Sequence, residues 1–293
     1  MNSTKSFANN LIVGESPRWH QGRLWFSHWG AGEIVAVDKE GKTEVVAKVP
    51  TSIPFSIDWL PNGRLLVVSG PEAKLLRQEA DGRFVTHADL SQLSDKPWNE
   101  IVVDGHGNTY VNCVGFRFGQ DKFAPGSIAL VTPDGLVQQV ADDLAFPNGM
   151  VVTPDNATLI VAESYTGKLT AFDIAADGSL SKRRTWADLG EGGDGICLDA
   201  EGAVWTPAIQ KGQPACIRVR EGGQILQRIE TENACFACML GGPDGKTLFI
   251  TTAKWPGQDK MDTLFTSRTG EIHTVKAPAA GAGWPNRSTN AEG

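Results

Sequence analysis

The chain has 293 residues, a net charge of -7, 33 glycines and 5 cysteines. The acidic balance argues against a nucleic-acid or anionic-membrane partner, because phosphate groups attract basic surfaces. An odd number of cysteines fits a reducing compartment better than a disulfide framework, and the start, MNSTKSFANN, does not read as a secretory signal. No stretch approaches the roughly 18 apolar residues that cross a bilayer. We therefore expect a cytoplasmic protein without a membrane partner.

Two interleaved series of hairpin turns run along the chain. In the first series, apolar strands flank a turn residue that recurs every 41 to 49 residues, at Gly22, Gly63, Gly107, Asn156, Gly202 and Gly245. The second series falls between these turns and reads VDKEGKTEVV, QEADGRFVTH, VTPDGLVQQV, DIAADGSLSKR, VREGGQILQRI and SRTGEIHTV. Asp-Gly and Glu-Gly between apolar runs are strong hairpin signals, because the tight turns need positive φ.

The repeating unit is therefore two hairpins, and it occurs six times. This pattern predicts an all-β protein, a six-bladed β-propeller with four-stranded antiparallel blades around a central channel. Closing the ring removes exposed sheet edges, and we expect residues 7–13 to add a strand to the last blade. We treat 1–293 as one domain with a loosely ordered tail from about 277 to 293. A pair of β-sandwiches or a β-solenoid is the alternative, but neither explains two interleaved series of six.

Polar residues stand where the innermost strands begin, seven or eight positions before the first turn of each unit. The places hold Glu15, Asn99 and Glu100, Asn148, and Asp194. The symmetry of a propeller brings them together at one mouth of the channel, and their oxygen atoms suit a hard divalent cation. Taken singly, each has a structural interpretation, since Asn148 and Asp194 lie in the turn strings PNG and GDG, and Glu15 has Arg18 as a possible partner. The shared register favours the metal site.

At these residues the sequence resembles the regucalcin/gluconolactonase family, also called the senescence-marker-protein family. The matching strings are GESPRW (14–19), FSIDWLPNGRLLVV (55–68), PWNE (97–100), AFPNGM (145–150), DGICLDAEGAVW (194–205) and FACMLGGPDGKTLFITTA (236–253). The resemblance implies a propeller lactonase with one divalent metal ion in the channel, Ca²⁺ first and Zn²⁺, Mg²⁺, Mn²⁺ or Fe²⁺ as alternatives. It implies that Glu15, Asn148 and Asp194 bind the metal and that Asn99 faces metal and substrate.

Several positions depart from the family pattern. Regucalcin-like members have an arginine where this chain has Pro97, and related bacterial members often have aspartate at the positions of His28, Arg117 and Pro207. We expect a more apolar pocket as a result, although the aromatic residues also have a packing interpretation within the blades. The candidate substrate-binding residues are Asn99, Trp98, Phe55, Trp29, Arg117 and Phe116, with Phe146 beside them. Arg117 and His28 are either surface substitutions or contacts for an anionic substrate group.

The expected function is a metal-dependent hydrolase that opens a sugar-acid or more apolar lactone. Asp194 would accept a proton from the attacking water, and Asn99 would donate to developing negative charge. Alternatives are hydrolysis of another ester, such as a phosphotriester, or a non-catalytic propeller that binds Ca²⁺ or a metabolite. The expected partner is a small lactone or ester, and the protein is expected to be a monomer or weak homo-oligomer. Cys235 and Cys238 form a lone C-x-x-C, which favours buried thiols over a zinc site.

Overall fold

The computed structural model describes residues 4–210 and 212–283, and it contains six four-stranded antiparallel sheets. Blade 1 consists of β2 (Val13–His20), β3 (Arg23–Trp29), β4 (Glu33–Val37) and β5 (Thr43–Lys48). Blade 2 consists of β6 (Phe55–Trp59), β7 (Leu65–Ser69), β8 (Lys74–Gln78) and β9 (Phe84–Asp89). Blade 3 consists of β10 (Trp98–Val103), β11 (Thr109–Cys113), β12 (Gly126–Val131) and β13 (Val137–Leu144).

The second half of the chain repeats this arrangement. Blade 4 consists of β14 (Pro147–Val152), β15 (Thr158–Glu163), β16 (Lys168–Ile174) and β17 (Leu180–Asp188). Blade 5 consists of β18 (Cys197–Leu198), β19 (Val204–Gln210), β20 (Gln213–Val219) and β21 (Ile225–Glu230). Blade 6 consists of β22 (Ala234–Gly241), β23 (Thr247–Ala253), β24 (Gly270–Lys276) and, as its outermost strand, β1 (Lys5–Leu11).

The innermost strands contact one another around the ring, with β2 next to both β6 and β22. The predicted six-bladed propeller is therefore confirmed. A short 3₁₀ turn (Gln258–Lys260) and the helix α1 (Met261–Leu264) lie between β23 and β24. Among the described residues, no helix is both long and apolar enough to cross a bilayer.

The hydrophobic core lies between the blades, because each sheet is covered on both faces by its neighbours. All residues of β6, β7, β10 and β11 are buried, whereas β5 on the outer edge of blade 1 is mostly exposed. The turns carry the expected conformations. Asn156, for example, adopts a φ of 59° where the neighbouring blade has Gly107 at 88°.

The innermost strands bend at corresponding places. The pairing register of β2 shifts between Glu15 and Arg18, that of β10 between Trp98 and Ile101, and that of β14 between Pro147 and Met150. An extra residue in one strand of a pair turns side chains to a new direction. The shifts therefore fall beside the three polar positions Glu15, Asn99 and Asn148.

The segment after β24 was expected to be loose from about residue 277. Residues 277–283 are instead attached to the propeller, with Ala277 and Ala279 buried and Gly281 bridged to Asp199. The backbone nitrogen of Ala282 donates to the carbonyl of Leu198 at 2.9 Å. Together with the ends of the inner strands, residues 281–283 line a cavity of about 100 Å³ in the channel. The rest of the expected tail, residues 284–293, lies outside the described residues.

Candidate active site

The polar residues expected at the channel mouth are brought together. Asn99 and Asn148 lie at the starts of β10 and β14, and Nδ2 of Asn99 donates to Oδ1 of Asn148 at 3.3 Å. Asp194 precedes β18, accepts a hydrogen bond from the Asn148 side chain and interacts electrostatically with Glu15. Glu15, Asn99 and Asn148 are buried, and Asp194 is half-buried as a residue. Four residues from four blades thus form one polar cluster.

The two carboxyl groups of this cluster, those of Glu15 and Asp194, both have raised pKa values. Burial raises the pKa of Glu15 well above its usual value, and the negative charges of Asp194 and Glu100 raise it further. Burial and then the charge of Glu100 also raise the pKa of Asp194. Within residues 4–210 and 212–283, neither carboxyl group forms an ion pair with a lysine or arginine. A cation placed between them would remove this repulsion.

The donor set fits a hard divalent cation in kind, since it offers carboxylate and amide oxygen atoms only. The described part of the chain contains no group of three or more His, Cys, Asp or Glu side chains arranged to hold a metal ion. The predicted set has only two carboxylates, Glu15 and Asp194, with the amide of Asn148. Metal binding by these residues therefore stays a prediction.

Arg18 takes a different partner from the one considered for it. Its Nη2 lies 3.4 Å from Oε2 of Glu100 and donates to the carbonyl of Ile101 at 2.6 Å, and its Nε lies 3.9 Å from Oδ2 of Asp58. Glu15 is thus left for the mouth of the channel, while Glu100 points to Arg18. Glu100 is adjacent to Asn99 in the repeat, and the sequence pattern does not show that it pairs with Arg18 rather than with the polar cluster.

Sequence reasoning missed the residues that hold the amides in place. Asn112 donates from Nδ2 to the carbonyl of Asn148 at 2.6 Å and accepts from the backbone nitrogen of Glu100 at 3.0 Å. Ser164 accepts from Nδ2 of Asn148 at 3.3 Å and donates to the carbonyl of Gly193 at 2.6 Å. Ser164 therefore links Asn148 to the segment that carries Asp194. Both lie on or just after second strands, where the repeat gives no polar signal.

The aromatic residues expected to contact substrate lie mostly elsewhere. Phe55 and Trp98 are fully buried in the cores between blades, so in this structure they offer no surface to a substrate. Trp29 is half-buried and donates from Nε1 to the carbonyl of Phe55 at 2.6 Å. Phe116 is 2% exposed and belongs to an aromatic cluster at the channel mouth that also includes Phe146.

The three altered family positions have structural partners. His28 is buried, with Nε2 accepting from the backbone nitrogen of Ile12 at 2.9 Å and Nδ1 3.4 Å from Glu33, and burial lowers its pKa. The Arg117 guanidinium lies 3.6 Å from Asp121 and 3.8 Å from Asp95. The carbonyl of Pro207 accepts from the backbone nitrogen of Gly193, next to Asp194, at 3.0 Å. His28 is thus not a surface residue.

Comparison with known proteins agrees with this architecture. Residues 13–254 match the family model of the SMP-30/Gluconolactonase/LRE-like region. Regucalcin of Xenopus laevis is 28% identical over 92% of this chain and 95% of that protein. Diisopropyl-fluorophosphatase of Loligo vulgaris is 29% identical over 75% of this chain and 77% of that protein.

Solved structures show the same fold. A luciferin-regenerating enzyme superposes with a TM-score of 0.82 at 19% identity, covering 98% of this chain and 100% of the other. A calcium-binding protein, regucalcin from Agrobacterium tumefaciens, gives a TM-score of 0.76 at 20% identity, covering 98% of this chain and 97% of the other. Because the family model spans most of the chain, the protein belongs to the SMP-30/gluconolactonase/LRE-like family.

Proposed function

We propose that this protein is a hydrolase that opens a lactone ring with the help of one divalent cation at the channel mouth. The observation that carries the proposal is the pair Glu15 and Asp194, two carboxyl groups whose burial is not balanced by any basic side chain among the described residues. The oxygen-only surroundings favour Ca²⁺ first, with Mg²⁺, Mn²⁺, Fe²⁺ and Zn²⁺ as alternatives. Membership of the family supports a lactonase or a related hydrolase.

Each polar residue has a part in the proposed reaction. Glu15, Asn148 and Asp194 would hold the cation, which when bound polarises a carbonyl oxygen and lowers the pKa of a bound water. Asp194 accepts the proton of the attacking water. Asn99 donates from its amide to the oxygen on which negative charge develops. Ser164 and Asn112 keep Asn148 in position through the hydrogen bonds described above.

A phosphotriester or related phosphorus ester is the second candidate substrate. The observation in its favour is the similarity to diisopropyl-fluorophosphatase, which is 29% identical over 75% of this chain. The same oxygen cluster would serve, because a phosphoryl oxygen is polarised by a bound cation as a carbonyl oxygen is.

The first test measures proton release from a panel of lactones and phosphotriesters by metal-stripped protein, with each cation added back singly. We expect turnover to return with a divalent cation. Asp194→Asn should lower kcat by on the order of 100-fold or more and weaken cation binding measured by calorimetry. Asp134→Asn, an exposed carboxyl group in the turn between β12 and β13, is the matched control and should change neither. Near-normal turnover by Asp194→Asn would show that Asp194 is not the proton acceptor. Turnover of phosphotriesters alone would select the second candidate.

A further inference from the structure

Five aromatic side chains form a continuous cluster, which we call the aromatic rim. Its members are Phe116, Phe118, Phe123, Phe146 and Tyr165. The ring of Tyr165 lies 5.3 Å from Phe146, 5.4 Å from Phe116 and 5.5 Å from Phe123 between centroids. These are distances at which aromatic rings attract one another. Tyr165 is therefore the centre of the cluster.

The aromatic rim lies at the same end of the channel as the candidate site. Trp98 pairs with Cys113, so the loop 114–125 leaves its blade at the end where Asn99 stands. Phe146 precedes β14, two residues before Asn148, and its carbonyl accepts from the backbone nitrogen of Ser164 at 3.0 Å. The side chain of Ser164 in turn contacts Asn148 at 3.3 Å. Rim and polar cluster thus share one stretch of backbone.

The aromatic rim combines a buried base with exposed rings. Phe116 is 2% exposed, whereas Tyr165 is 48% and Phe123 is 53% exposed. Phe118 and Phe146 are intermediate. Contiguous apolar surface is uncommon on soluble proteins, and where it adjoins a concave polar site it marks a surface that meets a ligand. The two exposed rings therefore offer an apolar surface at the end of the blades where the polar cluster lies.

The backbone of Phe146 adds an independent observation. Its φ is 60°, in the left-handed region that bulky side chains rarely adopt. Such a conformation is disfavoured for bulky side chains and persists where the surrounding structure imposes it, often at functional sites. Here the Phe146 ring packs against Tyr165, and the side chain of Asn148, two residues later, accepts a hydrogen bond from Asn99. Residues 146–148 therefore contribute to both the aromatic rim and the polar cluster.

From these observations we infer that the substrate carries an aromatic group beside its reactive carbonyl, and that Tyr165 and Phe123 bind this group. The inference rests on the proposed lactone hydrolysis and names the substrate class of that site. Arg117, in the same loop, is engaged with Asp95 and Asp121, so the rim is built for apolar contact rather than for pairing a carboxylate. The more apolar pocket expected from the sequence is thereby assigned to different residues, away from Phe55 and Trp98.

The test compares three lactones on the cation-loaded, full-length protein. Dihydrocoumarin has a six-membered lactone fused to a benzene ring, δ-valerolactone is the same ring size without it, and glucono-1,5-lactone is polar. Dihydrocoumarin releases a phenolate and is intrinsically more reactive than δ-valerolactone, so the readout is the effect of the variant on each substrate. Tyr165→Ala should lower kcat/KM for dihydrocoumarin by about tenfold more than it lowers that for δ-valerolactone, since an aromatic contact is lost with the ring. It should leave glucono-1,5-lactone within about twofold.

Two control variants show whether the ring itself is responsible. Tyr165→Phe keeps the ring and should keep the preference. Leu136→Ala removes an even more exposed apolar side chain, 67% exposed, from the turn between β12 and β13, and should leave all three substrates unchanged. Thermal unfolding of each variant verifies that Tyr165→Ala is folded. If the wild-type protein and Tyr165→Ala have the same ratio of kcat/KM for dihydrocoumarin to kcat/KM for δ-valerolactone, the inference is wrong.

A binding measurement separates this inference from the proposed function. Calorimetry with 3-(2-hydroxyphenyl)propanoate, the hydrolysis product of dihydrocoumarin, needs no turnover. If no lactone is hydrolysed, the proposed function falls, but weaker product binding by Tyr165→Ala than by wild type still supports the aromatic rim. Product affinity that is unchanged in Tyr165→Ala and in Phe123→Ala would overturn the rim even in an active lactonase.

Discussion

At the scale of single residues, Asp58 is a buried carboxyl group in the wall of the channel. Its side chain is fully buried and accepts hydrogen bonds from the backbone nitrogens of Trp59 at 2.8 Å and Val103 at 2.9 Å. The Arg18 guanidinium, 3.9 Å away, favours the ionised form as well. Burial nevertheless outweighs these contacts and raises the pKa of Asp58 to about 7. The folded protein therefore binds a proton here that the unfolded chain releases at lower pH.

This pKa shift predicts a pH dependence of stability. The contribution of Asp58 is fully present below the unfolded pKa of roughly 4 and is lost as the pH rises through about 7. Between pH 5 and pH 8.5, the free energy of unfolding of wild type should fall relative to that of Asp58→Asn, by about 3 kcal/mol. Urea unfolding at a series of pH values measures the difference. Parallel curves for wild type and variant would contradict the shift, and Asp134→Asn serves as the exposed control.

The candidate site was predictable from sequence only where the repeat marks it. Glu15, Asn99, Asn148 and Asp194 share a register position, so symmetry alone brought them together. Successive residues of a strand point to opposite sides, and in a propeller both faces of a blade are covered by other blades. Trp98, adjacent to Asn99, therefore points into a core and not into the pocket. The Tyr165 ring lies in a loop, where no period indicates its direction.

At the scale of strands, the interface of blades 5 and 6 gathers thiols that are distant in sequence. Cys197 on β18 lies 3.8 Å from Cys238 on β22 between sulfur atoms, and Cys216 on β20 contacts both Cys235 and Cys238. The lone C-x-x-C of the sequence thus has two further partners. Burial raises the pKa of Cys197, Cys216 and Cys235, which keeps these thiols protonated. Burial also disfavours ionisation of Cys238, but its hydrogen bonds with Cys197 and Cys216 outweigh that effect and lower its pKa to about 5. Because Cys238 is buried, a reagent reaches it only when the blades open.

The thiol cluster should react in a defined order. Cys235 is half-buried and Cys197, Cys216 and Cys238 are buried, so a thiol reagent such as DTNB should modify Cys235 first. We expect the native protein to react more slowly than the unfolded chain by on the order of 100-fold or more, because the thiolate is the reactive form. Cys235→Ser should remove the first phase, whereas Cys113→Ser, in blade 3, should leave it unchanged. Rapid reaction of all five thiols in the native state would contradict the buried cluster.

At the scale of the whole molecule, the turns determined the blade count, because two series of six leave one arrangement of hairpins. The N-terminal strand was also expected in the last blade, and β1 does pair with β24 through Lys5 to Thr274 and Leu11 to Gly270. The turn pattern does not predict where residues 277–283 lie. This segment is attached to the propeller by backbone hydrogen bonds and small side chains, which leave no apolar period in the sequence.

Because β1 joins the two ends of the chain in one sheet, its removal should open the ring. Ala8 and Leu11 are buried, and the Phe7 ring lies 5.2 Å from Phe249. Deleting residues 1–11 would expose the edge of β24 and remove three apolar contacts, a loss of about 5 kcal/mol and roughly 10 °C or more in Tm. Deleting residues 1–4, which precede β1, is the control and should leave Tm within about 2 °C. An unchanged Tm after the longer deletion, measured by calorimetry, would mean that the sixth blade is complete with three strands.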